Sequence, residues 1–206
     1  LRGLTGEDMA ELSAAQVGAI GATHIPGLTA TGMAALGSSQ LAALTTAQIK
    51  ALAPSQVGAL RSTQVGGLAQ TQLAALSATQ LSALPTDTLP ALSATQVAGL
   101  SATQLSGLSA TQAGSLTGGQ LAALAPTQIG GLSSGFLAAL SSTAFSGLTA
   151  AQVERLSTTQ IQGLSTTQFA ALSAADFAEF AATQVAGLTP GQIGALSPTN
   201  LSSVPA

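Results

Sequence analysis

A large apolar residue recurs at every eighth position of this chain. Counting in steps of eight from Leu4, the residue reached is Leu at 23 of 26 positions, with Ile20, Phe180 and Val204 the departures. No insertion or deletion breaks the register, and a short fixed period is the mark of an architecture stacked from equivalent units. Five residues after each anchor stands a second apolar residue, from Met9, Val17 and Ile25 to Leu201, and only Ala113 is small there. With the anchor as position 1, position 2 is Ser or Thr in 17 of 25 octads and position 5 is Gln in 17 of 25. The segment from Leu92 to Gly99, Leu-Ser-Ala-Thr-Gln-Val-Ala-Gly, shows the pattern complete. Positions 7 and 8 are mostly Ala, Gly or Ser, which lets a neighbouring segment come close; Glu11, Arg155 and Glu179 depart from this at position 8. Residues 1–206 thus read as one continuous array of about 25 octads. The chain opens at Leu1 and stops at Pro205 and Ala206, just inside a further octad, as expected of a segment of a longer chain or a filament subunit.

The octad predicts its own local structure. Ser or Thr followed three residues later by Gln is the spacing of a capping box, in which the hydroxyl accepts from the N3 amide and the Gln side chain returns to the N-cap amide. Position 2 is then the N-cap, the anchor becomes N′, and the apolar residue at position 6 becomes N4, the pairing of a hydrophobic staple. Pro54, Pro126, Pro190 and Pro198 all fall at position 3, the first helical residue, where a missing N–H costs nothing. The same prolines would disrupt one long helix. Each octad is therefore expected to be a separate helix of one to two turns. Gly21, Gly37, Arg61 and Pro85 at position 2 should weaken their caps without breaking the register.

Two large side chains per octad do not offset the backbone entropy of eight residues, so octads must share a continuous apolar interior. The fold class expected is an all-α solenoid of short capped helices; a β-solenoid is the alternative, since eight is even and Ser and Thr columns suit strands. Alanine, Gln and the prolines at N1 favour helix. The core columns are exemplified by Leu92, Val97, Leu100, Leu105, Leu156, Ile161, Leu164 and Phe169, and the capping column by Gln48, Gln96, Gln104, Gln160 and Gln168. The number of octads per coil does not follow from the sequence, which shows no alternation with a period of 16.

Composition narrows the function. Charged residues are 5% of the chain, against roughly 25% in a typical soluble protein, so little opposes self-association. Four basic side chains and a net charge of −3 make nucleic acid a poor partner. Without cysteine there is neither a disulfide framework nor a thiolate metal site. Polar residues interrupt every few positions, so no membrane span is expected, and no signal peptide is visible.

The chemistry-bearing residues mostly substitute within the repeat. His24, the single histidine, and Asp8 and Asp176 all occupy the Gln slot and read as capping or surface groups. Glu7, Asp8 and Glu11 form a small acidic cluster that would need further oxygen ligands to hold Ca²⁺. Asn200-Leu201-Ser202 has the form of a glycosylation triplet, but Asn200 too lies in the Gln slot. One histidine cannot furnish a recurring Ser, His and acid arrangement, and no phosphate-cradling glycine motif is present. No enzyme activity, metal or cofactor is expected. The Gln column has two readings: capping, or a ladder of exposed amides that pairs subunits or binds a ligand.

The units Leu44-Thr45-Thr46-Ala47-Gln48-Ile49, Leu156-Ser157-Thr158-Thr159-Gln160-Ile161 and Leu164-Ser165-Thr166-Thr167-Gln168-Phe169 resemble the octads of very long repetitive bacterial proteins of surface or adhesion type. That resemblance implies an extracellular or cell-surface structural role. It supplies no haem ligand, since His24 stands alone and Met9 and Met33 lie in the apolar column. Leu188-Thr189-Pro190-Gly191-Gln192-Ile193 is similar to the opening of a TAL-effector repeat, but the base-reading loop and basic residues of that unit are absent, so DNA recognition is not implied. The function expected is a fibre, sheath or stalk built by self-association. The alternative is a binding module whose Thr and Gln columns recognise a polysaccharide, another surface ligand or ice.

Overall fold

The structure, a computed structural model, describes residues 3–202. Val204, an anchor position in the repeat, and the chain ends at Leu1, Pro205 and Ala206 lie outside the described residues. Among the described residues there are 25 short helical segments, one per octad, and no strand. The fold is an all-α solenoid of short helices, and the β-solenoid alternative does not hold.

Each helix starts and stops for reasons local to its octad. In the helix Thr46–Lys50 the N-cap Thr45 is extended, its hydroxyl accepts from the Gln48 amide at 3.2 Å, and Gln48 Oε1 accepts from the Thr45 amide at 2.6 Å. Where position 2 lacks a hydroxyl, half of this arrangement persists: Gln40 and Gln64 still accept from the amides of Gly37 and Arg61 at 2.6 and 2.8 Å. Pro54 and Pro126 are N1 residues, as the missing N–H allows. The helix ends because the next anchor is extended, as at Leu12 (φ −66°, ψ 139°) and Leu36 (φ −61°, ψ 137°). No described residue has positive φ, so the chain turns corners without the left-handed glycines that commonly end helices.

Two octads are wound more tightly. Ala22–Gly27 and Thr86–Ala91 are 3₁₀ helices, and each carries proline at position 7, Pro26 and Pro90. Proline there removes the N–H that would bond back four residues and pushes the residue before it away from α geometry. The same octads have Gly21 and Pro85 as N-caps with no side-chain cap bond. The departures at position 2 thus weaken the cap everywhere, and two of them also accompany a change of helix type.

The chain divides into two compact units, Leu1–Leu108 and Ser109–Ala206. Within each, the apolar columns form a continuous interior. Val97, Leu105, Ile161 and Phe169 at position 6 are fully buried, and Leu92, Leu100, Leu156 and Leu164 at position 1 nearly so. In the second unit Phe180 stacks between Phe169 and Phe177, with ring centroids 6.0 and 5.8 Å apart.

Candidate functional site

The feature that repeats with the most chemistry is the glutamine at position 5, which works on two layers at once. Its oxygen serves its own helix. Its nitrogen leaves the octad: Gln48 Nε2 donates to the carbonyls of Val17 at 3.1 Å, Gly18 at 3.2 Å and Ile20 at 2.6 Å. Gln104 donates to Leu76 at 2.7 Å, Gln160 to Leu132 at 2.8 Å and Gln168 to Leu137 and Leu140 at 2.8 and 3.1 Å. Gln96 donates to Gly66 and Leu68 at 3.1 and 2.6 Å. The acceptors are the last carbonyls of a helix and that of the extended anchor after it, groups that a helix end leaves without a partner. One amide therefore caps the start of its own helix and the end of another. Only a side chain with both an acceptor and a donor can do this, which is why the column is Gln and not Glu.

These bonds set the geometry of the coil. The glutamine reaches 28, 30 and 31 residues back. Small residues meet at separations on either side. A Cβ on Gly18 or Gly58 would lie 3.0 Å from the carbonyl 25 residues ahead, and one on Gly107 or Gly163 would lie 2.8 or 2.7 Å from the Cβ 29 residues back. The coil closes in about 28 residues, which is three and a half octads. Each helix consequently straddles the junction between two helices of the layer before it. At Gly18 and Gly58, in position 7, glycine leaves room for the backbone of another layer, and at Gly107 and Gly163, in position 8, for a position-3 side chain.

Burial decides between the two readings of the column. Gln48, Gln96, Gln104, Gln160 and Gln168 are between 2 and 8% exposed. A ladder of exposed amides does not exist at these residues, because their nitrogens and oxygens are spent inside. Gln16, in the first coil, is exposed.

The other position-5 residues fall into place around this bond. Asp8 and Asp176 accept from the N-cap amides of Thr5 and Ser173 at 2.7 and 2.9 Å. Those contacts from the Thr5 amide and hydroxyl hold the Asp8 carboxyl below the usual carboxylate range. His24 is exposed, and its ring lies over Gly21, where an added Cβ would come 3.0 Å from Nδ1. Thr88 is buried, its hydroxyl donating to the Pro85 carbonyl at 2.7 Å. Asn200 Nδ2 donates to the Leu172 carbonyl at 3.0 Å, a shorter version of the Gln bond. Phe136 and Ala144 fill the slot with apolar atoms. Among the described residues no three His, Cys, Asp or Glu side chains could together hold a metal ion, Glu7, Asp8 and Glu11 included. Burial, then the charge of Asp176, pushes the Glu179 carboxyl up.

The sequence holds one signal for the coil length. Gly32, Thr88, Ala144 and Asn200 replace Gln at intervals of 56 residues, the smallest distance that is both whole octads and whole coils. Asp8 and Asp176 are separated by three such intervals, and His24 and Phe136 by two. Within each unit these exceptions recur at one angular place on alternate layers, Gly32 with Thr88 and Ala144 with Asn200, all four buried.

Outward-facing residues are plain. Position 4, at N2 of each helix, is exposed throughout and is Thr or Ser in 16 of 25 octads. An open depression of about 450 Å³ is lined by Lys50, Leu52, Pro54, Ala75, Leu76, Ser77 and Gln80. Among the described residues no helix is long and apolar enough to cross a membrane.

Fold and site together define a tandem-repeat solenoid whose recurring polar residue is an interlayer tie. Residues 33–70 match a family model described as the ALTTAQ repeat, and Ala43-Leu44-Thr45-Thr46-Ala47-Gln48 spells that motif out. No curated protein matches the chain.

Proposed function

We propose that this chain is a structural element of an extracellular fibre, sheath or surface stalk, and that it has no catalytic role. The observation that carries the reading is the destination of the recurrent side chains. Between the first and last coils positions 1 and 6 are buried and position 5 is largely so, and the Gln48 amide spends its donor and its acceptor on the stack itself. What remains outside is a surface of Thr, Ser, Ala and Gly with 5% charge in the whole chain. Such a surface has little repulsion to overcome when solenoids lie side by side. The extracellular setting rests on the resemblance to bacterial surface-type octads.

A second reading rests on the exposed threonines of position 4, a regular array of hydroxyls and methyls suited to a polysaccharide or to ice. Electron microscopy of the purified native material separates the two. Ordered filaments with an axial repeat support the structural reading. Discrete particles that stay monodisperse at high concentration and bind a ligand saturably overturn it in favour of the second.

A further inference from the structure

Position 7 carries Ala, Gly, Ser or Pro in every octad of the first unit except one, where it carries Lys50, the only lysine of the chain. Position 7 faces position 8 of the layer after, as Gly18 faces Ala43 and Gly66 faces Ala91. A long polar side chain there can spend itself on that layer: Gln162 Nε2 donates to the Gly187 carbonyl, 25 residues on, at 2.9 Å. Lys50 does not. It is exposed, and among the described residues its ammonium makes neither a hydrogen bond nor an ion pair.

The depression that Lys50 lines, about 450 Å³, falls within the ~300–1,000 Å³ in which small-molecule sites lie. Leu52, Pro54, Ala75 and Leu76 give it apolar walls. Its unspent polar groups are donors. The Ser77 hydroxyl accepts from the Gln80 amide at 3.1 Å and keeps its own proton to give, and Lys50 brings only donors. The acceptors around them are taken. Gln80 Oε1 receives the Ser77 amide at 2.7 Å, Gln80 Nε2 covers the carbonyls of Lys50 and Leu52 at 3.2 and 2.7 Å, and Gln104 covers that of Leu76 at 2.7 Å. No Asp or Glu lines the depression, so the positive charge stands there unanswered.

We propose that this depression binds an acidic polysaccharide through one uronic acid ring, with the carboxylate on Lys50 and Ser77 and the C–H face of the ring on Leu52, Pro54 and Leu76. The carboxylate answers a site that holds charge and donors without an acid of its own. A sugar ring answers the apolar walls, because it carries a face of C–H groups beside its hydroxyls. The depression is open, so the saccharide can run on across the surface at both ends of the bound ring. This site goes beyond the structural reading above: it tethers a rod to an anionic matrix, whatever holds rods to one another.

The single lysine makes the test direct, since a 206-residue chain grown on isotope-labelled lysine gives one side-chain ammonium signal by nuclear magnetic resonance. An oligomer of galacturonic acid is expected to move that signal saturably. Its fully methyl-esterified form, and acetate at equal carboxylate concentration, should leave the signal in place. Calorimetry should show binding weakened about tenfold or more in Lys50→Gln, the loss of one charged hydrogen bond. Ala75→Glu should weaken it as much, by setting a carboxylate against that of the ligand. The chain itself holds Gln162 at position 7 and Glu11 and Glu179 at position 8, so circular dichroism should show both variants folded. Added salt should weaken binding severalfold. A signal that does not move, or moves without saturating, overturns the proposal. So does an equal response to the ester or to acetate, or a Lys50→Gln variant that binds as tightly as the native chain. Filament formation is scored separately by microscopy, so a failure here leaves the fibre reading standing.

Discussion

Replacing the amide nitrogen of Gln48 by an oxygen should expose what the glutamine column contributes. Gln48→Glu preserves shape and preserves the acceptor for the Thr45 amide at 2.6 Å. It removes both donors from a group that is 2% exposed and turns a buried anion toward the carbonyls of Val17, Gly18 and Ile20. A buried charge left without its partner costs ~3–5 kcal/mol. Protonation relieves most of that, because the neutral acid donates again to Ile20. At about 1.36 kcal/mol per pKa unit, the introduced carboxyl should titrate about two to three units above an ordinary Glu, near pH 6 to 7. The variant is therefore expected to be destabilised at neutral pH and largely rescued near pH 4, below that shifted value. Gln16→Glu provides the control: the same chemical change where no carbonyls face the nitrogen, expected to shift the stability of the dilute chain by less than about 0.5 kcal/mol. Far-UV circular dichroism follows unfolding, since the chain has no Trp or Tyr. Hydrogen exchange near Ile20 and Thr45 detects opening confined to a few octads, which a stack of repeats permits. Equal neutral-pH stability of the two variants would refute the assignment of the interlayer bond as a principal tie.

Two further outcomes are expected from thermal midpoints. Gly107→Ala places a Cβ 2.8 Å from that of Ala78 and should cost ~1–3 kcal/mol, whereas Gly119→Ala, with nothing within 4 Å in the helix Gly118–Ala122, should gain ~0.5–1 kcal/mol. The Glu179 carboxyl is raised in the fold by burial and by Asp176, so its neutral form stabilises the protein at acid pH and that contribution is lost as pH rises through the raised value. Glu179→Gln should accordingly be more stable than the native chain at neutral pH, with the difference closing as the native carboxyl protonates.

The helices were legible in the sequence because everything that starts and stops them lies within one octad. Thr45, Gln48 and the extended anchor need no distant partner to mark a boundary, and Pro54 at N1 reports the same register independently. The other half of Gln48 was not legible, since nothing within three residues tells where its nitrogen goes. That depends on the number of octads in a coil, a property of how helices turn corners and pack. The signal that was present, the 56-residue spacing of Gly32, Thr88, Ala144 and Asn200, has meaning only once a coil of half-integral octads is considered. A search for whole-octad alternation passes over it. Position 7 was likewise read only as small; its prolines, Pro26 and Pro90, also choose between helix types, because position 7 supplies a return bond in the other octads.

The half-octad left over in each coil makes a unit resemble masonry laid in running bond. A helix end in one course is bridged by the middle of a helix in the next, so the weak joints never line up into a seam. A crack that started between two helices would meet an intact helix one course later, together with the amide pinned across the gap. A whole number of octads per coil would instead stack the joints into continuous clefts running the length of the unit, open to water and to unzipping. Shifting by half its length each course, the brick leaves a unit no straight plane along which its layers could part.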